Sequence, residues 1–193
     1  MELLETYRRS LAEFTDRVGR VGPGQWSAST PCPEWDVRAL VAHVVTENRW
    51  AVPLLGGATV ASVGDRFSGD QLGDDPVEAA RDAARRAERA AAAPGATERT
   101  VQLSVGPTPA DEYLHQLVAE NLVHGWDLAA SIGADPRLDP DAVRSCARWF
   151  TGRVADYQAG NLVRPGVDVP ADADEQDRLL ALFGRDPAWT PEG

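Results

Sequence analysis

Glu120 and His124 stand four residues apart in Glu120-Asn121-Leu122-Val123-His124. At about 100° per residue, four steps around a helix leave the two side chains about 40° apart on one face. A carboxylate and an imidazole one turn apart can clasp one divalent cation. His43 lies in the apolar run Leu40-Val41-Ala42-His43-Val44-Val45 and is expected to point inward. Two imidazole nitrogens and one carboxylate oxygen make a catalytic zinc set with an open coordination position. The same residue types also suit a surface ion pair or a hydrogen-bonded core histidine. His115, nine residues before His124, falls about 180° around the helix and should face away.

Other side chains have two readings each. Glu47, four after His43, is an acid–base group, an extra ligand or a surface carboxylate. Asp127, three after His124, is an acceptor that orients a ligand imidazole or a helix-surface residue. Trp126 and Trp50 wall a pocket or pack in the core. Arg49 binds a ligand carboxylate or stays exposed. Cys32 takes part in thiol exchange or is a buried, inert thiol.

The elements that must position these residues are mainly helical. Leu3, Leu4, Tyr7, Leu11, Phe14, Val18 and Val21 recur at threes and fours, the mark of an amphipathic helix over 1–20. Asp36 caps a second helix to about Leu55, with Pro53 bending or ending it. Residues 56–75 read as loop. Asp75-Pro76 opens a third helix to about Ala93. Residues 98–105 alternate as a short extended segment, followed by a turn at 106–109. A fourth, strongly apolar helix starts at Thr108 or Asp111 and stops at Gly133. A fifth runs from Pro140 to about Gln158, and a short one spans Glu175–Phe183. The expected fold class is all-α, a helix bundle over 1–160 with a tail, 161–193, whose short helix packs on it.

Of the 193 residues, 30 are Asp or Glu and 19 are Arg, with no Lys, for a net charge of -11. That balance argues against nucleic acid as a partner and against an anionic membrane surface. The absence of a long apolar run and the acidic N-terminus Met1-Glu2-Leu3-Leu4-Glu5 predict no membrane span and a cytoplasmic location. Cys32 and Cys146, far apart, are expected as reduced thiols.

The stretch Trp26-Ser27-Ala28-Ser29-Thr30-Pro31-Cys32-Pro33-Glu34-Trp35-Asp36-Val37-Arg38-Ala39-Leu40-Val41-Ala42-His43-Val44 resembles the first signature of the DinB-like, mycothiol-dependent maleylpyruvate isomerase N-terminal family. Glu120-Asn121-Leu122-Val123-His124-Gly125-Trp126-Asp127-Leu128-Ala129 resembles the second. The ending Asp177-Arg178-Leu179-Leu180-Ala181-Leu182-Phe183-Gly184-Arg185-Asp186-Pro187 is similar to a metal-binding subfamily of the group. The resemblance implies a DinB-like four-helix bundle with one long crossover connection. It implies a divalent metal on His43, Glu120 and His124, zinc first, with nickel or iron(II) as alternatives.

It further implies a mycothiol S-transferase or isomerase acting on a small electrophile. Glu47 and Asp127 are the candidate proton carriers, and Arg49 and Trp126 the candidate cofactor-binding residues. The alternative is a non-catalytic metal-binding stress-response or interaction module. Full-length isomerases add a sizeable C-terminal domain, so the resemblance implies metal and thiol binding more directly than isomerisation. A homodimer could supply the missing wall. The all-Arg, GC-rich composition fits an actinobacterial source, where mycothiol is made.

Overall fold

The computed structural model describes residues 2–160 and 162–191. Met1, Asn161, Glu192 and Gly193, which the expectations for the N-terminus and tail include, lie outside the described residues. The chain forms α1 (Leu3–Val18), α2 (Val37–Leu55), α3 (Val60–Val63), α4 (Pro76–Ala91), β1 (Thr100–Leu103), β2 (Gly106–Pro109), α5 (Ala110–Ile132), α6 (Pro140–Phe150), α7 (Val154–Ala159) and α8 (Glu175–Leu182). Among the described residues the architecture is all-α apart from one small hairpin.

Local chemistry sets most boundaries. The Asp36 carboxylate accepts the Ala39 N–H at 2.8 Å and caps α2. Pro53 sits inside the last turn of α2, which ends two residues later. Asp75 and Asp139 cap α4 and α6, each with proline at the first helical position. Gly133, in the left-handed region at φ 68°, stops α5.

Three expectations are corrected. The fifth predicted helix is two, because the chain turns at Thr151-Gly152-Arg153 before α7 starts. Gly152 is a poor helix interior residue. The predicted turn at 106–109 is instead β2, antiparallel to β1 with Leu103 opposite Gly106. Pro107 and Pro109, two apart, can point their missing N–H groups away from the ladder. The loop 56–75 contains the single turn α3, held by a reciprocal cap between Thr59 and Ser62.

Helices α1, α2, α4 and α5 form the bundle. The principal contacts run α1–α5, α5–α2, α2–α4 and α4–α1. Sequence neighbours α1 and α2, like α4 and α5, therefore sit across the diagonal, spanned by the connections 19–36 and 92–109. On α1, Tyr7, Leu11, Phe14 and Val18 are buried. On α4 the buried face is Ala80, Ala83, Ala84, Ala87 and Ala91, small side chains that allow close approach to α2. Removing this apolar surface from water is the main stabilising term. Helices α6 and α8 pack together beside α5, with Phe150 stacked on Phe183 at 4.0 Å between centroids. Among the described residues, no helix is long and apolar enough to cross a membrane.

Candidate metal centre and its cleft

A buried amide chain ties α1, α2 and α5 together. Tyr7 donates its hydroxyl to Asn48 Oδ1 at 3.2 Å, and Asn48 Nδ2 donates to Asn121 Oδ1 at 3.1 Å. Asn121 Nδ2 donates to the Leu117 carbonyl at 2.7 Å. Asn121 follows Glu120 directly, so the contact helps set the register of α5 against α2.

In that register the second and fifth helices bring His43, Glu120 and His124 together. Glu120 Oε2 lies 2.9 Å from His43 Nε2 and 3.2 Å from His124 Nε2. The two imidazole rings meet edge to face with centroids 5.2 Å apart. Donor atoms of a tetrahedral zinc site, each at about 2.0–2.1 Å from the ion, lie about 3.3 Å from one another. The three side chains, one donor atom each, have the chemistry and mutual spacing of a group that could hold a metal ion.

Behind these three side chains, His124 Nδ1 lies 2.9 Å from Asp127 Oδ2. Asp127 is fully buried and also takes a two-point ion pair from Arg185, Nε to Oδ1 at 3.2 Å and Nη2 to Oδ2 at 2.9 Å. The Cys32 thiol lies 3.5 Å from Asp127 Oδ2 and 3.0 Å from Arg185 Nη2. Cys32, His124 and Asp127 form a second cluster of possible ligand atoms, but the Arg185 cation occupies its flank. A cation is therefore accommodated better on the Glu120 side.

The electrostatics follow from these contacts. Burial alone would raise the Glu120 carboxyl, but hydrogen bonds and charge from His124 and His43 hold it far below the usual range. Burial opposes a charged His124, yet hydrogen bonds to Asp127, Cys32 and Glu120 raise it well above the usual imidazole value. Asp127 is lowered despite burial, by His124 and Arg185. Glu47 is raised by burial and by the Glu120 charge. It stands one turn further along α2 than His43 and is not among the residues that line the cleft.

The three ligand candidates line a cleft of about 520 Å³. The loop 26–36 forms one wall. Thr30 Oγ1 accepts the Cys32 N–H and donates to the Trp35 carbonyl, closing the loop on itself. Trp35 then lies against His43, the rings tilted by 32° with centroids 4.6 Å apart. Gln116, Trp149, Tyr157 and the tail around Arg164 also line the cleft. The Tyr157 hydroxyl is buried with no hydrogen-bond partner among the described residues. Burial pushes it up to about 12, so it stays a donor at neutral pH. At the mouth, Arg164 pairs with Glu34 at 2.6 Å.

The structure does not bring every sequence candidate here. Arg49 donates to Gln71 at 2.7 Å, away from the cleft lining. Trp126 is 2% exposed and belongs to the core. Trp50 packs edge-on against Phe67. His115 stacks on Trp149 at 5.5 Å, apart from His43, Glu120 and His124, as its helical phase requires. Sequence reasoning missed Trp35, Gln116, Tyr157, Arg164 and Arg185. Trp35 and Arg185 lay inside quoted motifs, whereas nothing local distinguishes Gln116, Tyr157 or Arg164.

Two uncharacterized proteins of Mycobacterium tuberculosis, from strains CDC 1551 / Oshkosh and ATCC 25618 / H37Rv, are similar to this chain. Each is 32% identical over 196 residues, a span of 96% of this chain and 98% of the relative. No solved structure matches the chain. The family model described as mycothiol maleylpyruvate isomerase N-terminal domain matches residues 7–129, which include His43, Glu120, His124 and Asp127. The chain belongs to the mycothiol maleylpyruvate isomerase N-terminal domain family.

Proposed function

We propose that this protein is a divalent-metal-dependent enzyme that joins a low-molecular-weight thiol, mycothiol first, to a small electrophile as an S-transferase or isomerase. The observation that carries the reading is Glu120 set between His43 and His124 in the lining of a cleft. His43, Glu120 and His124 would hold the ion, zinc first with nickel or iron(II) as alternatives. A bound cation lowers the pKa of a thiol and presents the thiolate, the nucleophilic form.

The chain's own groups would do the rest. Asp127 keeps the His124 ring oriented from behind, which suits positioning rather than proton transfer. Glu47, raised by burial and by Glu120, is the candidate to take the thiol proton and return it to the product. Sulfur–carbon bond formation and return of that proton complete an addition with no external oxidant or reductant. Tyr157 donates a hydrogen bond to an acceptor oxygen on the substrate, and Trp35 and Trp149 cover its apolar body. Residues 1–160 act as the metal-binding bundle and 161–193 as a tail packed on it. The setting is cytoplasmic, where the thiol co-substrate is kept reduced.

The test is turnover. Metal-loaded protein is mixed with mycothiol and a panel of conjugated carbonyl electrophiles, and thiol loss and adduct mass are followed. Metal-dependent adduct formation supports the reading. Metal and thiol binding with no turnover across the panel favours the alternative, a non-catalytic metal-binding stress-response or interaction module.

A further inference from the structure

The metal set leaves the Asp177–Pro187 motif without a role, yet that motif ends in a buried cation beside the ligand group. Helix α8 stops in a left-handed turn. Gly184 has φ 72°, its N–H donates to the Ala181 carbonyl, and the Arg185 N–H donates to the Leu180 carbonyl, both at 3.0 Å. This two-bond stop fixes the direction of the next side chain. A Cβ at Gly184 would lie 2.7 Å from Arg164 Cβ and 2.8 Å from the Pro165 carbonyl oxygen, so glycine is required beneath the 164–165 segment.

The turn sends Arg185 back toward α5. The residue is 9% exposed, and Nη1 donates to the Phe183 carbonyl at 3.0 Å. Nε and Nη2 grip the two oxygens of Asp127, 58 residues earlier in the chain. Asp127 Oδ2 also meets His124 Nδ1 at 2.9 Å. A buried carboxylate is costly without compensating partners. Arg185 supplies two of those partners and fixes the carboxylate plane. Removing Arg185 leaves Asp127 free to turn toward the vacated space, and the His124 ring loses its brace.

We propose that Arg185 is a positioning residue of the metal centre, holding Asp127 so that Asp127 keeps His124 Nε2 aimed at Glu120 and His43. The inference rests on the metal reading of those three side chains. It assigns the tail a function, because Arg185 lies beyond the residues 7–129 that the family model matches. Partners behind a ligand imidazole characteristically tune metal affinity about 10–100-fold.

The test uses the full chain as wild type, Arg185→Ala and Arg185→Lys, with two readouts. Co2+ affinity is measured by titration, and the His124 Nδ1–H proton is observed by NMR in metal-free protein. Arg185→Ala should weaken Co2+ binding about 10–100-fold and abolish the downfield, carboxylate-bound Nδ1–H signal. Arg185→Lys should fall between. Millimolar guanidinium chloride should restore part of the affinity of Arg185→Ala and leave wild type unchanged.

A folded Arg185→Ala protein with wild-type affinity and an intact signal overturns the proposal. Should that variant not fold, a lysine variant matching wild type in both readouts overturns it equally. If wild type binds no Co2+ but its Nδ1–H signal disappears in the variants, the metal reading fails while the positioning role stands.

Discussion

His43 Nε2 and Glu120 Oε2 lie 2.9 Å apart across a sequence separation of 77 residues. The contact joins α2 to α5, and His124 reaches the same carboxylate oxygen from one turn along α5. One carboxylate between two imidazoles is an arrangement a divalent ion can replace its protons in.

Substitution of the three ligand candidates should empty the site. His43→Ala, Glu120→Ala and His124→Ala proteins should each lose most of the metal that wild type retains through desalting. His115→Ala should keep it, because His115 stacks on Trp149 outside the group. Full metal retention in all three ligand variants contradicts the assignment.

Metal stabilisation should grow with pH. In metal-free protein, His124 is raised above its ordinary 6.5, since hydrogen bonds to Asp127, Cys32 and Glu120 outweigh burial. That contribution is complete below pH 6.5 and disappears as pH rises through the raised folded value. Asp127 is lowered below its ordinary 3.8, so its contribution is complete above that value and is lost on acidification through the folded one. A metal must displace the His124 proton, and proton competition weakens as pH rises. The Tm increase caused by Zn2+ should therefore be larger at pH 8 than at pH 6; the opposite order contradicts the coupling.

The bundle and the meeting of His43, Glu120 and His124 were legible in the sequence to different depths. Helix starts at Asp36, Asp75-Pro76 and Pro140 and the stop at Gly133 were readable because caps act within one turn. The break before α7, the strand β2 and the turn at Val60 depend on weaker local preferences. Spacing placed Glu120 and His124 on one face, and the apolar run around His43 turned it inward. That the three meet depends on the Asn48–Asn121 register and the diagonal order of helices. Arg185 could not be placed, because its partner Asp127 lies on another element. Arg49 and Trp126 sit near the ligands in sequence, but helix phase carries them elsewhere.

The amide chain should matter for stability. Asn121→Leu leaves the Asn48 Nδ2 donor without its buried acceptor. Leaving such groups unsatisfied costs about 1–3 kcal/mol. Urea unfolding should show a loss of that size with an unchanged slope, and wild-type stability in this variant contradicts the register argument.

The two cysteines should react differently. Burial pushes the Cys146 thiol up to about 12, whereas Cys32 lines the cleft. Iodoacetamide at pH 8 should label native protein at Cys32 alone, as read by peptide mass mapping. Labelling of Cys146 at an equal rate contradicts its placement in the core.

Proton transfer and substrate binding should separate. Glu47→Gln should lower kcat about 10²–10⁴-fold, the usual worth of a general acid–base group, with metal content unchanged. Tyr157→Phe should chiefly raise KM, since it removes one hydrogen-bond donor from the cleft wall. A fall in metal content in Glu47→Gln would instead make Glu47 a ligand.

The most direct measurement is the absorption spectrum of Co2+-loaded protein titrated with mycothiol. The account predicts a sulfur-to-cobalt charge-transfer band that saturates with thiol and is absent from His124→Ala. Cobalt bound in the site with no such band at millimolar mycothiol contradicts thiol delivery to the His43–Glu120–His124 centre.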